Sequence, residues 1–396
     1  MPWQETSTMS LRLAFVQQAS QPAAVLSALC AQFGISRPTG YKWLARYRAG
    51  GVAALADRSR RPHRSPAQTD AAQEAQLVAL RDQHPAWGAR KLRARAQALE
   101  PTAALPAART ITVILRRQGR LAARPAAPAA APQRFCHPEP NDLWQLDFKG
   151  HLPLLAATGR CHPLTALDDH SRFALGLRAC ADEQTATVQA ALTALFQAYG
   201  LPRRILCDNG PPWGTAGAPT PWTPLWVWLM RLGVAVSHGR AAHPQTQGKD
   251  ERFHRSLKAE ALAQPLQDLA QAQVRFDAWR QVYNHERPHE ALGLAVPATH
   301  YHPSARPFPA GLPAITYDPS CAVRRVQPRG EILWQGQAYH LSRAFVGLPV
   351  GIRPTDVDGC FAVSFLDHWL VTLDSRTHTV YPVHRPSVVN QVPEHL

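Results

Sequence analysis

The sequence predicts a multidomain fold: a helical N-terminal region, a layered α/β region around a mixed five-stranded sheet, and a small all-β C-terminal barrel or sandwich. Apolar residues recur at helical spacing before residue 121, whereas short β-type runs alternate with helical ones from residue 141 onward. Near the end of the chain, alternating apolar positions flank the Asp358-Gly359 turn. The 396 residues are enough for two or three domains.

The first candidate unit lies in residues 23–48, "AAVLSALCAQFGISRPTGYKWLARYR", which predict two helices broken at Gly34. Ser36 is a good N-cap and proline is tolerated in a first helical turn, so the second helix should begin there. This is helix-turn-helix spacing, although an ordinary helical hairpin would show the same pattern. In a helix-turn-helix, the side chains available to a DNA groove are those of Arg37, Thr39, Lys42 and Arg46.

An arginine-rich segment, "LADRSRRPHRSP", follows directly. Its Arg58, Arg60, Arg61 and Arg64 alternate with small residues and proline, a composition that cannot build a core. The segment is either a solvated linker or an arm that lies along phosphates or a minor groove. We assign residues 1–66 to a helix-turn-helix domain that includes this arm.

The remaining domain boundaries follow from changes in pattern. Residues 67–121 repeat the helical periodicity and fit a second helical DNA-binding domain, and the Ala/Pro-rich residues 122–140 predict an extended linker. Residues 141–300 predict three antiparallel strands followed by alternating helices and strands, the pattern of an α/β layer with a mixed sheet. Residues 301–396 predict the all-β domain.

Charge and cysteine content restrict the partners and the compartment. Of the net charge of +15, most lies in residues 1–140, which hold 20 Lys and Arg against 7 Asp and Glu, whereas residues 141–396 hold 23 against 21. This distribution favours a nucleic acid or an anionic membrane surface as partner. Seven scattered cysteines without a CxxC pair fit a reducing cytosol. With no secretory signal and no apolar stretch long enough to span a bilayer, we expect a cytoplasmic protein without a membrane partner.

Three acidic residues stand where ordinary packing does not require charge. Asp147 lies within the strand "WQLDFKG", Asp208 ends the strand "RRILCDNG", and Glu251 begins the helix "GKDERFHRSLKAE". One such carboxylate is more often a satisfied polar residue, but three together suit Mg²⁺, which prefers carboxylate oxygens and is used where phosphates complete its shell. Two such ions about 3.5–4 Å apart can activate an attacking oxygen and stabilise the leaving one at a phosphodiester.

The helix around Glu251 is predicted to place cations beside this carboxylate. At about 100° per residue, His254, Arg255 and Lys258 fall on the side of Glu251. Apolar residues such as Phe253 fall on the far side, which would be buried. A solvated helix with incidental ion pairs explains the same charges, but it does not explain the two Asp-bearing strands upstream.

Several motifs along the chain resemble those of one family. In the family's order, the chain contains "LADRSRRPHRSP", "WQLDFKG", "DDHSRFALG", "CDNGPPW", "HPQTQGKDERFHRSLKAE" and "YNHERPHEALG". They are similar to motifs of the insertion-sequence transposases whose catalytic domain is a retroviral-integrase core of the ribonuclease-H-like fold. The resemblance extends over most of the chain, and the combination of motifs is highly specific.

The resemblance implies a DDE triad of Asp147, Asp208 and Glu251 that binds two Mg²⁺ or Mn²⁺ ions. It implies hydrolysis at transposon ends to free a 3′-hydroxyl, followed by attack of that hydroxyl on target DNA without a covalent protein intermediate. The implied partners are double-stranded DNA, as terminal repeats and target, and at least one further copy of the chain. The C-terminal barrel is expected to assist DNA binding or assembly.

The family pattern also suggests roles for residues near the triad. Lys249, Arg255 and Lys258 are expected to contact DNA, and the Asp168-Asp169 pair is expected to belong to the framework near the site. Asp250 stands where the family usually has an uncharged residue, and it should point about 100° away from Glu251. The 42 residues between Asp208 and Glu251 exceed the spacing in retroviral integrases.

Two other functions remain open from the sequence. A domesticated, catalytically silent DNA-binding regulator would keep the same fold, although an intact triad argues against it. A general nuclease of the same fold would cleave DNA without preference for terminal repeats. Metal-dependent activity that is lost in Asp208→Asn distinguishes the regulator from the transposase, and strand-transfer products exclude the general nuclease.

Overall fold

A computed structural model describes residues 7–59, 68–121, 136–156, 158–215, 222–238 and 248–382. The chain divides into two compact units, residues 1–69 and residues 70–396. Three of the four arm arginines, Arg60, Arg61 and Arg64, and residues 122–135 of the predicted linker lie outside the described residues. Within the described ranges, no helix is both long and apolar enough to cross a membrane.

The first unit is a small bundle of three helices, α1 (Thr8–Ala19), α2 (Leu26–Gln32) and α3 (Arg37–Gly50), followed by a 3₁₀ turn at Val52–Leu55. The Ser36 hydroxyl caps α3 by accepting from the amide of Thr39, and Gly34 has φ +64° at the turn before it, so the predicted break and cap are confirmed. The sequence did not predict α1, whose Phe15 and Val16 complete the core.

Three more helices open the second unit, namely α4 (Ala71–Gln83), α5 (Ala89–Leu99) and α6 (Ala108–Arg117). The Asp70 carboxylate caps α4 by accepting from the amides of Ala72 and Gln73. Trp87 between α4 and α5 is fully buried among apolar residues of all three helices. Val282 from the following α/β region packs against the same cluster, so the three helices share a core contact with that region.

The middle of the second unit is a mixed sheet. Its strands are β1 (Leu143–Phe148), β2 (Leu152–Pro153), β3 (Arg160–Asp168), β4 (Ala174–Cys180), β5 (Arg204–Cys207) and β6 (Ala235–His238). Strand β1 pairs antiparallel with β3 and parallel with β5, while β4 pairs with β3 and β6 with β5. The five principal strands run in the order β4-β3-β1-β5-β6, with the two-residue β2 beside β3, which confirms the predicted mixed α/β layer.

Helices cover both faces of this sheet. They are α7 (Thr185–Tyr199), α8 (Pro224–Arg231), α9 (Gly248–Glu260) and α10 (Leu269–His285). Trp144 and Leu146 of β1 pack into the cluster of α7 and α8, whereas the cluster of α9 and α10 receives Leu167 and Cys161 of β3. Because strand side chains alternate between faces, Gln145 and Asp147 lie on the α9 and α10 face.

The C-terminal region is all-β, as the sequence predicts. Its strands are β7 (Ala322–Arg325), β8 (Glu331–Trp334), β9 (Gln337–His340), β10 (Pro349–Pro354), β11 (Cys360–Phe365), β12 (His368–Asp374) and β13 (Thr379–Pro382). Five of them form an antiparallel sheet in the order β13-β12-β11-β10-β7, and β8 and β9 form a second sheet of two strands. The ring of Phe345, 5.9 Å from that of Trp222, joins this region to the core beside α8.

Candidate active site

Asp147 and Asp208 lie side by side at the ends of two parallel strands. The register pairs Gln145 of β1 with Leu206 of β5, and each aspartate follows its paired residue by two positions. Burial, followed by the negative charge of Asp208, raises the pKa of the Asp147 carboxyl to about 6. Partial loss of hydration also raises the pKa of Asp208. Two repelling carboxylates at one strand edge have oxygens of the type that hard divalent cations bind.

Glu251 lies in the first turn of α9, and its side chain is exposed. Phe253 and Leu257 of the same helix are buried against α10 and the sheet, as the sequence predicts. Among the described residues, no group of three or more His, Cys, Asp or Glu side chains is arranged to hold a metal ion. The structure therefore brings Asp147 and Asp208 together but does not bring Glu251 to them.

Asp250 points into the protein and not toward solvent. Its side chain is 2% exposed, and its Oδ1 atom has no hydrogen-bond partner. Burial, then the charges of Asp147 and Asp169, raise the pKa of Asp250 well above its usual value. The angle of about 100° between Asp250 and Glu251, predicted from the sequence, did not show that Asp250 points inward. A better signal was the spacing, because Asp250 precedes the buried Phe253 by three residues, which places both on one helical face.

His254 is also buried, with 8% of its surface exposed. Its Nε2 atom lies 3.1 Å from Thr165 Oγ1 on β3, and its Nδ1 atom lies 3.6 Å from Asp147 Oδ2. Burial lowers the pKa of the His254 imidazole to about 4, so the ring is neutral at neutral pH. The prediction that His254 is a cation on the outer face of α9 is therefore wrong, because this side chain packs against the sheet.

Asp168 and Asp169 carry framework hydrogen bonds beside the site. Asp168 accepts from the amides of Asn141 and Ser171 and from the Ser171 hydroxyl. Asp169 accepts from the Gln145 amide group at 2.6 Å and forms an ion pair with Lys249. These contacts fit the framework role expected of the two residues.

Lys249 is held within the framework by Asp169. Its Nζ atom donates to the carbonyl oxygen of Asp169 at 3.0 Å as well as to the Asp169 carboxylate, and little of the side chain is exposed. Burial lowers the pKa of Lys249, while Asp169 opposes that shift. The structure thus places this predicted DNA contact in an internal ion pair.

The other predicted DNA contacts lie on two surfaces of separate units. Arg255 and Lys258 are exposed on α9 in the second unit. In the first unit, Arg37, Lys42 and Arg58 are exposed, whereas Thr39 and Arg46 are partly buried. The Lys42 ammonium and the Arg46 guanidinium lie 5.2 and 4.9 Å from the centroid of the Trp43 ring. The ring therefore limits the freedom of two cations on α3.

The segment "YNHERPHEALG" supports α9 from inside. The Arg287 side chain is 5% exposed, and it donates to Ser256 Oγ of α9 at 2.7 Å. Its Nη1 atom also lies 3.2 Å from His289 Nε2. Arg287 and His289 thus have structural contacts beneath α9.

His289 is expected to make the fold acid-labile. Burial, then the charge of Arg287, lowers its pKa from 6.5 to about 2, so the folded protein keeps this ring neutral while the unfolded chain takes up a proton below pH 6.5. The free energy of unfolding should therefore fall by about 2 kcal/mol between pH 6.5 and pH 5 through this residue. Thermal unfolding of the wild type and of His289→Gln at both pH values measures the effect. The Gln variant, which can still accept from Arg287, should lose less stability in acid, and equal losses would contradict the prediction.

Five family models match successive parts of the chain. A helix-turn-helix domain matches residues 11–63, a homeodomain-like domain matches residues 39–115, and integrase core domains match residues 137–244 and 232–297. The model described as the C-terminal domain of IS481 family transposases matches residues 321–381. The matches therefore follow the helical, α/β and all-β regions of the structure in order.

Two curated relatives come from bacterial insertion elements. The uncharacterized 31.7 kDa protein of insertion element IS407 from Burkholderia multivorans is 28% identical over 160 residues, which are 40% of this chain and 54% of that protein. The uncharacterized 39.2 kDa protein of insertion element IS476 from Xanthomonas euvesicatoria is 30% identical over 181 residues, which are 44% of this chain and 50% of that protein. The chain spans about half the length of each of these relatives.

Among solved structures, a chain of the simian T-cell lymphotropic virus intasome, determined in complex with PP2A regulatory subunit B56 gamma, is similar at 14% identity. The match covers 78% of this chain and 99% of that chain, with a TM-score of 0.36.

Proposed function

We propose that this chain, which is similar to proteins of insertion elements and matches integrase core models, is the DNA transposase of its own insertion sequence. It binds the terminal inverted repeats of the element, cleaves the 3′ ends in a metal-dependent reaction and transfers them into target DNA. The observation that supports this function best is the pair of carboxylates, Asp147 and Asp208, at adjacent ends of β1 and β5 in an integrase-core segment.

The residues present fit a divalent metal in part. Asp147 and Asp208 offer two carboxylates whose mutual repulsion a cation would relieve. These two would hold Mg²⁺ or Mn²⁺, and Glu251 would complete the set from α9 for two ions per site. When bound, such ions activate the attacking oxygen and neutralise charge on the leaving oxygen. Asp250, beside Glu251 in the first turn of α9, competes for this third role, because the charge of Asp147 acts on it.

The rest of the chain supplies DNA binding. The exposed Arg255 and Lys258 on α9 contact phosphates near the cleaved bond, whereas Lys249 stays in its ion pair with Asp169. In the first unit, α3 presents Arg37, Thr39, Lys42 and Arg46 to the terminal repeat. Cleavage of two ends and their concerted joining require at least two copies of the chain on DNA. The reaction takes place in the cytoplasm, where the DNA of the bacterial relatives lies.

The arginine-rich arm is expected to set much of the salt dependence of DNA binding. Replacing Arg58, Arg60, Arg61 and Arg64 with Gln should weaken binding and flatten the plot of log affinity against log salt concentration. The slope should decrease by about 0.9 for each phosphate that the variant no longer neutralises, because every neutralised phosphate releases counterions. Titrations at several salt concentrations measure it. A variant with Lys at the same four positions keeps the charge and should keep the slope. An unchanged slope in the Gln variant would show that the arm does not contact DNA phosphates.

The function itself is tested with purified protein, Mg²⁺, labelled DNA that carries the ends of its own element, and a second unlabelled duplex. We expect nicks at the transposon ends and products in which those ends are joined to the second duplex. Cleavage without preference for the ends would favour a general nuclease. Binding of the ends without cleavage in Mg²⁺ or Mn²⁺ would favour the silent regulator.

A further inference from the structure

One polar contact links α9 to the strands beneath Asp147. Thr165 of β3 is the direct cross-strand partner of Asp147, and it is fully buried. Its hydroxyl donates to the carbonyl oxygen of Asp147 at 2.9 Å. The same hydroxyl oxygen lies 3.1 Å from His254 Nε2 on α9. Three elements, β1, β3 and α9, therefore meet at one hydroxyl group.

The hydrogen-bond directions at this hydroxyl are fixed. A carbonyl oxygen can only accept, so the one hydroxyl proton of Thr165 is used by Asp147. The Thr165 oxygen must then accept from His254, which requires a proton on Nε2 of the ring. The Nδ1 atom of His254 faces Asp147 Oδ2, 3.6 Å away.

We propose that Thr165 and His254 are positioning residues of the active site, which fix Asp147 relative to α9. They do so through two hydrogen bonds, from the Thr165 hydroxyl to the Asp147 carbonyl and from His254 Nε2–H to the Thr165 oxygen. Glu251 lies three residues before His254, about one helical turn away, so the same contact sets where the α9 carboxylates stand relative to Asp147. The inference rests on the proposed function only in naming Asp147 as a metal ligand. Neither side chain is required to touch metal or DNA.

The side-chain chemistry supplies matched variants. Thr165→Val keeps the shape and removes the hydroxyl, whereas Thr165→Ser keeps the hydroxyl. His254→Leu removes the donor, whereas the amide nitrogen of His254→Gln reaches nearly as far as Nε2 and can still donate. Because the two residues form one contact, their effects should not add in the double variant Thr165→Val with His254→Leu.

The first measurement is calorimetry of Mn²⁺ binding to the full chain without DNA. Thr165→Val and His254→Leu should each weaken Mn²⁺ binding by about 10–100-fold, the usual loss when a group that supports a metal ligand is removed. The Ser and Gln variants should restore most of the affinity, and the double variant should bind about as weakly as either single variant. Wild-type Mn²⁺ affinity in folded Thr165→Val would overturn the proposal, and so would additive losses in the double variant.

The second measurement does not depend on any variant folding. Long-range ¹H–¹⁵N NMR of the wild type labelled at histidine should show a proton on Nε2 of His254. A ring protonated on Nδ1 alone would overturn the proposal. If the wild type binds Mn²⁺ through Asp147 but never cuts transposon ends, the proposed function fails while both measurements still decide the role of Thr165 and His254.

Discussion

Asp208→Asn should abolish cleavage and joining of transposon ends while leaving DNA binding and folding unchanged. The side chain is exposed at the end of β5, so the neutral amide costs little stability, but it removes one of the two carboxylates that the sheet brings together. Loss of a group that merely supports a ligand costs about 10–100-fold, so loss of the ligand itself should lower the rate by more than about 100-fold. Gel assays of end cleavage and joining, beside mobility shifts of the same DNA, measure both properties.

Asp356→Asn is the matched control, because Asp356 is an exposed aspartate in a turn of the C-terminal region. It should cut and bind DNA as the wild type does. Normal cleavage by Asp208→Asn in Mg²⁺ would refute the assignment of this carboxylate to the metal site. Loss of DNA binding together with cleavage would instead show that the substitution acts on the fold or on the DNA interface.

The same assay decides which carboxylate of α9 completes the site. If Glu251 is the third ligand, Glu251→Gln should match the loss in Asp208→Asn, and Asp250→Asn should cut. A buried carboxyl without a partner for Oδ1 costs stability, so Asp250→Asn should also be no less stable than the wild type. The opposite pattern of activities would assign the third position to Asp250.

Asp168→Ala should destabilise the second unit by about 2–6 kcal/mol. The substitution leaves the buried amides of Asn141 and Ser171 without an acceptor, and each such group costs about 1–3 kcal/mol. Asp168 is the cross-strand partner of Trp144 on β1, so activity should fall together with stability. Chemical denaturation of wild type and variant measures the loss, and Mn²⁺ binding under folding conditions should be retained.

Asp168→Asn keeps one carbonyl oxygen as an acceptor, and its loss of stability should lie between those of the wild type and the Ala variant. If Asp168→Ala has wild-type stability but no longer binds Mn²⁺, the prediction is wrong. Asp168 would then be a metal ligand and not part of the framework.

Local sequence signals determined most of the secondary structure. Ser36 identified the start of α3 through its side-chain cap, and Gly34, with φ +64°, identified the break before it. The strand-type runs that contain Asp147 and Asp208 predicted two neighbouring carboxylates in the sheet. These features depend on backbone conformation, capping and the period of apolar residues, all of which act over a few positions in the chain.

The tertiary structure decided the partners of the polar side chains. A helical wheel gives the angles between His254, Glu251 and Asp250, but it does not say which angle faces the sheet. Packing of Phe253 and Leu257 against α10 turned His254 and Asp250 inward. Likewise, the partners of Lys249 and Arg287 come from residues far away in the chain. By itself, the sequence determined which ionisable residues could contribute charge at the site. Burial and hydrogen bonding, which depend on contacts between distant segments, decided which of them became part of the framework.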